Sequence, residues 1–108
     1  MSAYITLRNV RDLLNDPHRW TRGSVARAAD DAETHPRSRN AVSWCLVGAA
    51  EHCAPDRTSY WAARSALLDE VARQHPGAGI PRFNDTATHA EVLALLDAAI
   101  QRAAISST

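Results

Sequence analysis

Residues 41–54 read AVSWCLVGAAEHCA, and the conformation of this run decides the fold. The run is apolar on nearly every side, is preceded by Ser38 after Pro36, and stops at Pro55. A serine cap, an unbroken apolar stretch and a terminating proline predict a helix from Arg39 to Ala54. A helix with so little polar face is normally surrounded by others, so it is placed at the centre of the domain. Gly48 inside it costs about 1 kcal/mol relative to alanine, which points to a neighbour that needs to come close there.

The rest of the chain supplies helices to surround it. From Ala90 to Ala104, Val92, Leu95, Leu96, Ala99, Ile100 and Ala103 form one stripe, with Glu91, Ala94, Asp97, Ala98, Gln101 and Arg102 opposite. Thr88 followed three residues later by Glu91 is a capping box for its start. A helix from Thr58 to Gln74, capped by Asp56 or Thr58, ends before His75, Pro76 and Gly77 and carries Tyr60, Ala63, Leu67, Leu68 and Val71 on one face. A first helix from Ala3 to Asn15 carries Leu7, Val10 and Leu14. Segments 18–37 and 76–87, broken by glycines, prolines and paired aspartates, are read as irregular. The expected fold is all-α: one small domain over residues 1–108, a bundle of about four helices around the central apolar helix 39–54.

Composition narrows the function. The chain has 108 residues with twelve basic and twelve acidic side chains, and every basic one is arginine. A chain of this length buries about two thirds of its unfolded surface, enough for a core without staples. Without lysine there is neither a Schiff base nor a phosphate-loop lysine. Twenty-one alanines beside no lysine is the signature of GC-rich coding, which accounts for most of the arginine. A net charge of zero argues against nucleic acid as a partner. No apolar stretch approaches the roughly 20 residues of a membrane helix, and residues 1–10 lack an apolar signal core, so a cytoplasmic protein without membrane contact is expected.

Cys45 and Cys53, on one helix, would stand roughly 12 Å apart, beyond the roughly 7 Å disulfide limit, and are expected as free thiols. Cys45 reads as a small buried hydrophobe; as a nucleophile it would need a base, and His52 on the same helix lies roughly 10 Å away. His18, His35, His52, Cys53, His75 and His89 show no metal-ligand spacing, so neither a metal nor a cofactor is expected.

Three features invite a functional reading. Arg19, Arg22 and Arg27 gather around Trp20, either as a solvated loop with one anchoring ring or as a protein-binding surface. Asn84 and Asp85, ahead of a helix start, read as an Asx-type turn or as a polar rim favouring an anion, and His89 fits both. Arg64 falls within an apolar stripe, where it must reach out to solvent, pair with a carboxylate such as Asp85, Asp30 or Asp31, or line a pocket with Trp44, Asn84 and Asp85.

Several of these residues fall into a pattern: Trp20 with Gly23, the run Trp44-Cys45-Leu46 leading to Gly48-Ala49, Phe83-Asn84-Asp85, and Thr88 with Glu91-Val92. The pattern resembles DUF6197, a family of short, mostly bacterial proteins of unknown function. The likeness spans roughly Trp20 to Ile100. Ala87 stands where the family pattern has arginine, and Phe83 where tryptophan is common, so an anion role for that arginine does not carry over. The resemblance implies no known activity.

The functional expectation is a non-enzymatic accessory module that binds a protein partner or a second copy of itself through Arg19, Trp20, Arg22 and Arg27. The alternative is a binder or sequestering protein for a small anionic ligand such as a nucleotide, using Trp44, Arg64, Asn84, Asp85 and His89. An enzyme built on Cys45 comes third.

Overall fold

Where the apolar stripes are long, the helices form as expected. A computed structural model describes residues 2–106 and places α1 at Ser2–Leu14, α2 at Leu46–Cys53, α3 at Arg57–Gln74, α4 at Ile80–Thr86 and α5 at His89–Ser106. The capping box before α5 is complete: the Glu91 N–H donates to Thr88 Oγ1 at 3.1 Å and the Thr88 N–H donates to Glu91 Oε1 at 2.8 Å. α3 is capped by Asp56, which accepts from the Ser59 N–H at 2.7 Å. On α1 the side chains of Leu7, Val10 and Leu14 are fully buried, and on α5 so are Val92, Leu95 and Leu96. These helices meet α3 through Ala63, Leu67 and Val71, and the whole forms one apolar cluster that α2 and Phe83 of α4 join.

The helix expected over 39–54 is cut in two. Ala41–Trp44 is a strand, β2, and only Leu46–Cys53 is helical. β2 pairs antiparallel with β1, Ala26–Ala28, with Ala26 opposite Trp44, Arg27 opposite Ser43 and Ala28 opposite Ala41. The register slips between Arg27 and Ala28, so Val42 is the extra residue of a bulge and its side chain is 46% exposed. A β-branched residue, a serine and a tryptophan suit a half-buried strand better than a helix interior, and apolarity alone does not separate the two. Cys45 turns the corner. Its extended backbone caps α2, and its sulfur accepts from the Gly48 N–H at 3.3 Å.

Gly48 does permit a close approach. A Cβ built there would stand 1.8 Å from the Val25 carbonyl oxygen, so the chain just ahead of β1 lies directly on the first turn of α2. The same carbonyl accepts the Cys45 N–H at 3.3 Å.

Both segments read as irregular contain regular structure. Within 18–37 lies β1, preceded by a single 3-10 turn at Pro17–Arg19, and within 76–87 lies α4. α4 was masked by Gly79 and Pro81, which belong at a helix start, and by Asn84 and Asp85, which are poor helix formers. The described residues therefore form five helices and a two-stranded antiparallel sheet, predominantly helical but not all-α, and without the long central helix that the bundle required.

α3 also departs in detail. Leu68 is 40% exposed and Glu70 takes its place on the inner face at 3%. The Glu70 carboxylate accepts from Arg102 Nε at 2.7 Å and from Gln74 at 3.0 Å, tying α3 to α5. A matching pair, Arg11 to Asp97 at 2.8 Å, ties α1 to α5.

Candidate functional site

Asn84 is the hub of the polar interior. It sits on α4, buried, and uses its amide fully. Oδ1 accepts from Trp20 Nε1 at 2.8 Å and from the Leu46 N–H at 3.1 Å, and Nδ2 donates to the Thr21 carbonyl at 3.0 Å and to Asp85 Oδ1 at 3.3 Å. Asp85 Oδ1 in turn accepts from the Gly23 N–H at 2.9 Å. These two side chains join segment 20–23 to α4 and to the first turn of α2. They make a tertiary junction of distant segments, which local Asx geometry does not produce.

The Trp20 cluster closes on the same junction. The Arg22 guanidinium lies 4.8 Å from the Trp20 ring centre and donates to the Ala87 carbonyl. Arg27 donates to Thr21 Oγ1 at 3.1 Å and to the carbonyls of Arg22 and Asp31 at 3.2 Å each. His89 donates from Nε2 to the Leu14 carbonyl at 2.6 Å, which fixes its tautomer, and its ring lies 5.8 Å from that of Trp20. Arg19 is the exception: exposed, with no hydrogen bond or ion pair from its guanidinium among the described residues.

Trp44 faces elsewhere. Its Nε1–H and His52 Nδ1–H both donate to the Pro36 carbonyl, at 2.9 and 3.0 Å, with the two rings 4.6 Å apart. Trp44 thus anchors segment 35–40 and takes no part in a pocket with Arg64.

Arg64 does meet Asn84 and Asp85 across open space. A cleft of about 300 Å³ lies between α3, α4 and residues 23–25, with Arg64, Asp85, Asn84, Cys45, Val47 and Pro81 among its walls. Among the described residues no carboxylate comes within 4.0 Å of the Arg64 guanidinium, so the expected ion pair with Asp85, Asp30 or Asp31 does not form. The guanidinium instead lies 5.4 Å from the ring centre of Trp61, a side chain 51% exposed. Trp44 and His89 are not in this cleft. A wider depression of about 680 Å³ beside the 75–79 loop holds none of the candidate binding or interaction residues.

Cys45 is at the edge of burial in the cleft floor. Burial pushes its thiol up, and the Asp85 carboxylate adds to that, against opposing bonds from the backbone N–H groups of Gly48 and Val47. Cys53 is pushed up to about 11, chiefly by burial. Both thiols are free, but not for the expected reason, since Cys45 lies outside the helix that carries Cys53. Among the described residues no group of three His, Cys, Asp or Glu side chains is placed to hold a metal ion, and no helix is long and apolar enough to cross a membrane.

Fold and site together define a small, predominantly helical domain whose polar interior is organised by an asparagine and an aspartate on a short helix. The chain belongs to the family of unknown function DUF6197, whose pattern it matches over residues 2–102. No curated protein and no solved structure matches it significantly. The Trp20, Gly23, Trp44-Cys45-Leu46, Gly48 and Asn84-Asp85 positions that carried the resemblance each have a structural task. Trp20, Leu46, Asn84, Asp85 and Gly23 meet at one junction, and Cys45 and Gly48 form the start of α2.

Proposed function

We propose that this chain is a non-enzymatic binding module whose site is the cleft walled by Arg64 and Asp85, and whose ligand is a small molecule bearing a negative charge. One observation carries the reading: Arg64 holds a fixed positive charge on the wall of a largely apolar cleft, with no carboxylate within 4.0 Å of it among the described residues. Partly desolvated guanidinium groups normally have an anionic partner, and an arginine left without one suits a ligand carboxylate or phosphate. Convergent polar groups on apolar walls are the usual composition of a small-molecule site.

The reading as a protein-interaction module through Trp20 has weaker support. The indole N–H is committed to Asn84, and Arg22 and Arg27 are committed to neighbouring oxygens, which leaves Arg19 alone of that set to meet a partner. Catalysis by Cys45 has weaker support still, because burial keeps the thiol protonated and its sulfur serves the α2 cap.

The test is a melting-temperature panel of monocarboxylates, amino acids, inorganic phosphate and nucleotides, run on the wild type and on Arg64→Gln. A ligand at a hundred times its Kd stabilises by about 2.7 kcal/mol, which is a shift of many degrees in a domain of this size. At least one anion should shift the wild type and fail to shift the variant. A panel that shifts neither, or shifts both equally, refutes the reading.

A further inference from the structure

We propose that the ligand of this cleft is zwitterionic, an amino acid with an apolar side chain, its carboxylate on Arg64 and its ammonium on Asp85. This deepens the reading above and rests on it.

The two walls carry opposite fixed charges. Arg64 comes from α3 and Asp85 from α4, and both border the same space. Asp85 is half-used: Oδ1 accepts from the Gly23 N–H and from Asn84 Nδ2, while Oδ2 has no hydrogen bond among the described residues. Those two bonds fix the carboxylate in place and leave one oxygen to accept from a ligand. Its charge is felt inside the cleft, since it contributes to the upward shift of the Cys45 thiol.

A carboxylate wall opposes a ligand that is only anionic, and a dianionic phosphate most of all. A ligand carrying an ammonium beside its carboxylate turns the same wall into a partner. Between the charges the surface is apolar, supplied by Val25, Val47 and Pro81. A volume of about 300 Å³ is at the small end of ligand pockets. Charge thus turns the expected nucleotide aside.

The experiment is calorimetric titration of the wild type with leucine, valine and methionine, and, for whichever binds, with its N-acetyl derivative and its amino alcohol. The first lacks the ammonium, the second the carboxylate. Each should bind about tenfold or more weakly than the amino acid. Asp85→Asn keeps an oxygen to accept the Gly23 N–H, so the fold is retained. That variant should bind the amino acid and its N-acetyl derivative alike, and Arg64→Gln should bind the amino acid and its amino alcohol alike. If simple carboxylates or the N-acetyl derivatives bind as tightly as the amino acids, the zwitterion assignment fails while the anion-binding reading stands. If neither amino acids nor any anion of the earlier panel binds, both fail.

Discussion

Replacing Gly48 by alanine separates local propensity from tertiary packing, because the two predict opposite signs. In an isolated helix the change stabilises by about 1 kcal/mol. Here the added Cβ would stand 1.8 Å from the Val25 oxygen and 2.8 Å from the Val25 carbonyl carbon, both backbone atoms that no rotamer change can move aside. Restoring ordinary contact requires the 23–25 segment to retreat by about 1.5 Å, at the upper end of the 1–3 kcal/mol typical of overpacking. The same retreat breaks the Cys45 N–H bond to Val25, now 3.3 Å long and worth about 1 kcal/mol. The net expectation is a destabilisation of about 3 kcal/mol, which corresponds to a fall in Tm of about 12–24 °C. Thermal and urea unfolding of Gly48→Ala measure it directly. Gly79→Ala serves as control, since a Cβ there meets only Pro81 Cδ at 3.8 Å, and should stay within about 0.5 kcal/mol of wild type. A Gly48→Ala protein as stable as wild type, or more so, would refute the close approach of the two segments.

Other expectations follow from the same contacts. Asn84→Ala strands the Trp20 and Leu46 N–H groups and the Thr21 carbonyl, and should lower urea stability by about 3 kcal/mol. Glu51 is partly buried, which raises its carboxyl, but hydrogen bonds from Arg57 and Arg37 outweigh this and hold it below the ordinary value of 4.5. A lowered carboxyl adds stability that is complete above the ordinary value and lost as pH falls through the folded one. Urea midpoints should therefore drop below about pH 4.5, and Glu51→Gln should flatten that acid limb; an unchanged limb would remove Glu51 as its source. With Cys53 pushed up to about 11, its native thiol should alkylate about a hundredfold more slowly than in urea, and the native Cys45 thiol, also raised, should alkylate more slowly too. Labelling of native Cys45 at the unfolded rate would instead restore it as a candidate nucleophile.

What could be read from sequence follows the physics of each signal. The stripes of α1 and α5 and the Thr88–Glu91 box are local in the chain, so their periodicity and spacing placed them within a residue or two. The run at 41–54 carries no period because it is apolar on nearly every side, which fits strand and helix alike. What divides it is the pairing of β2 with residues 26–28, which its own sequence does not contain. α4 was hidden because its residues are chosen for the junction at Asn84 at the expense of helix propensity. The site was half legible. Arg64, Asn84 and Asp85 stood out as polar residues in apolar company, and they do share a cleft. Trp44 and His89 stood out in the same way, but each is bonded to a backbone carbonyl of another segment, a pairing that only the folded chain reveals. Glu70 was missed altogether. Its partner Arg102 lies 32 residues on, at a separation that leaves no local pattern.

The pairing of α1 with α5 has a consequence for how the protein is made. Leu7, Val10 and Leu14 are fully buried, and Arg11 reaches across 86 residues to Asp97. Synthesis runs from the N-terminus at about 5–20 residues per second, so the side of α1 that α5 covers stays wet for several seconds after α1 itself has been made. Of the described helices, α1 is made before the others and is among the last to be enclosed. α3 can cover part of α1 as soon as it is made, but the face that meets α5 stays apolar and uncovered until α5 follows.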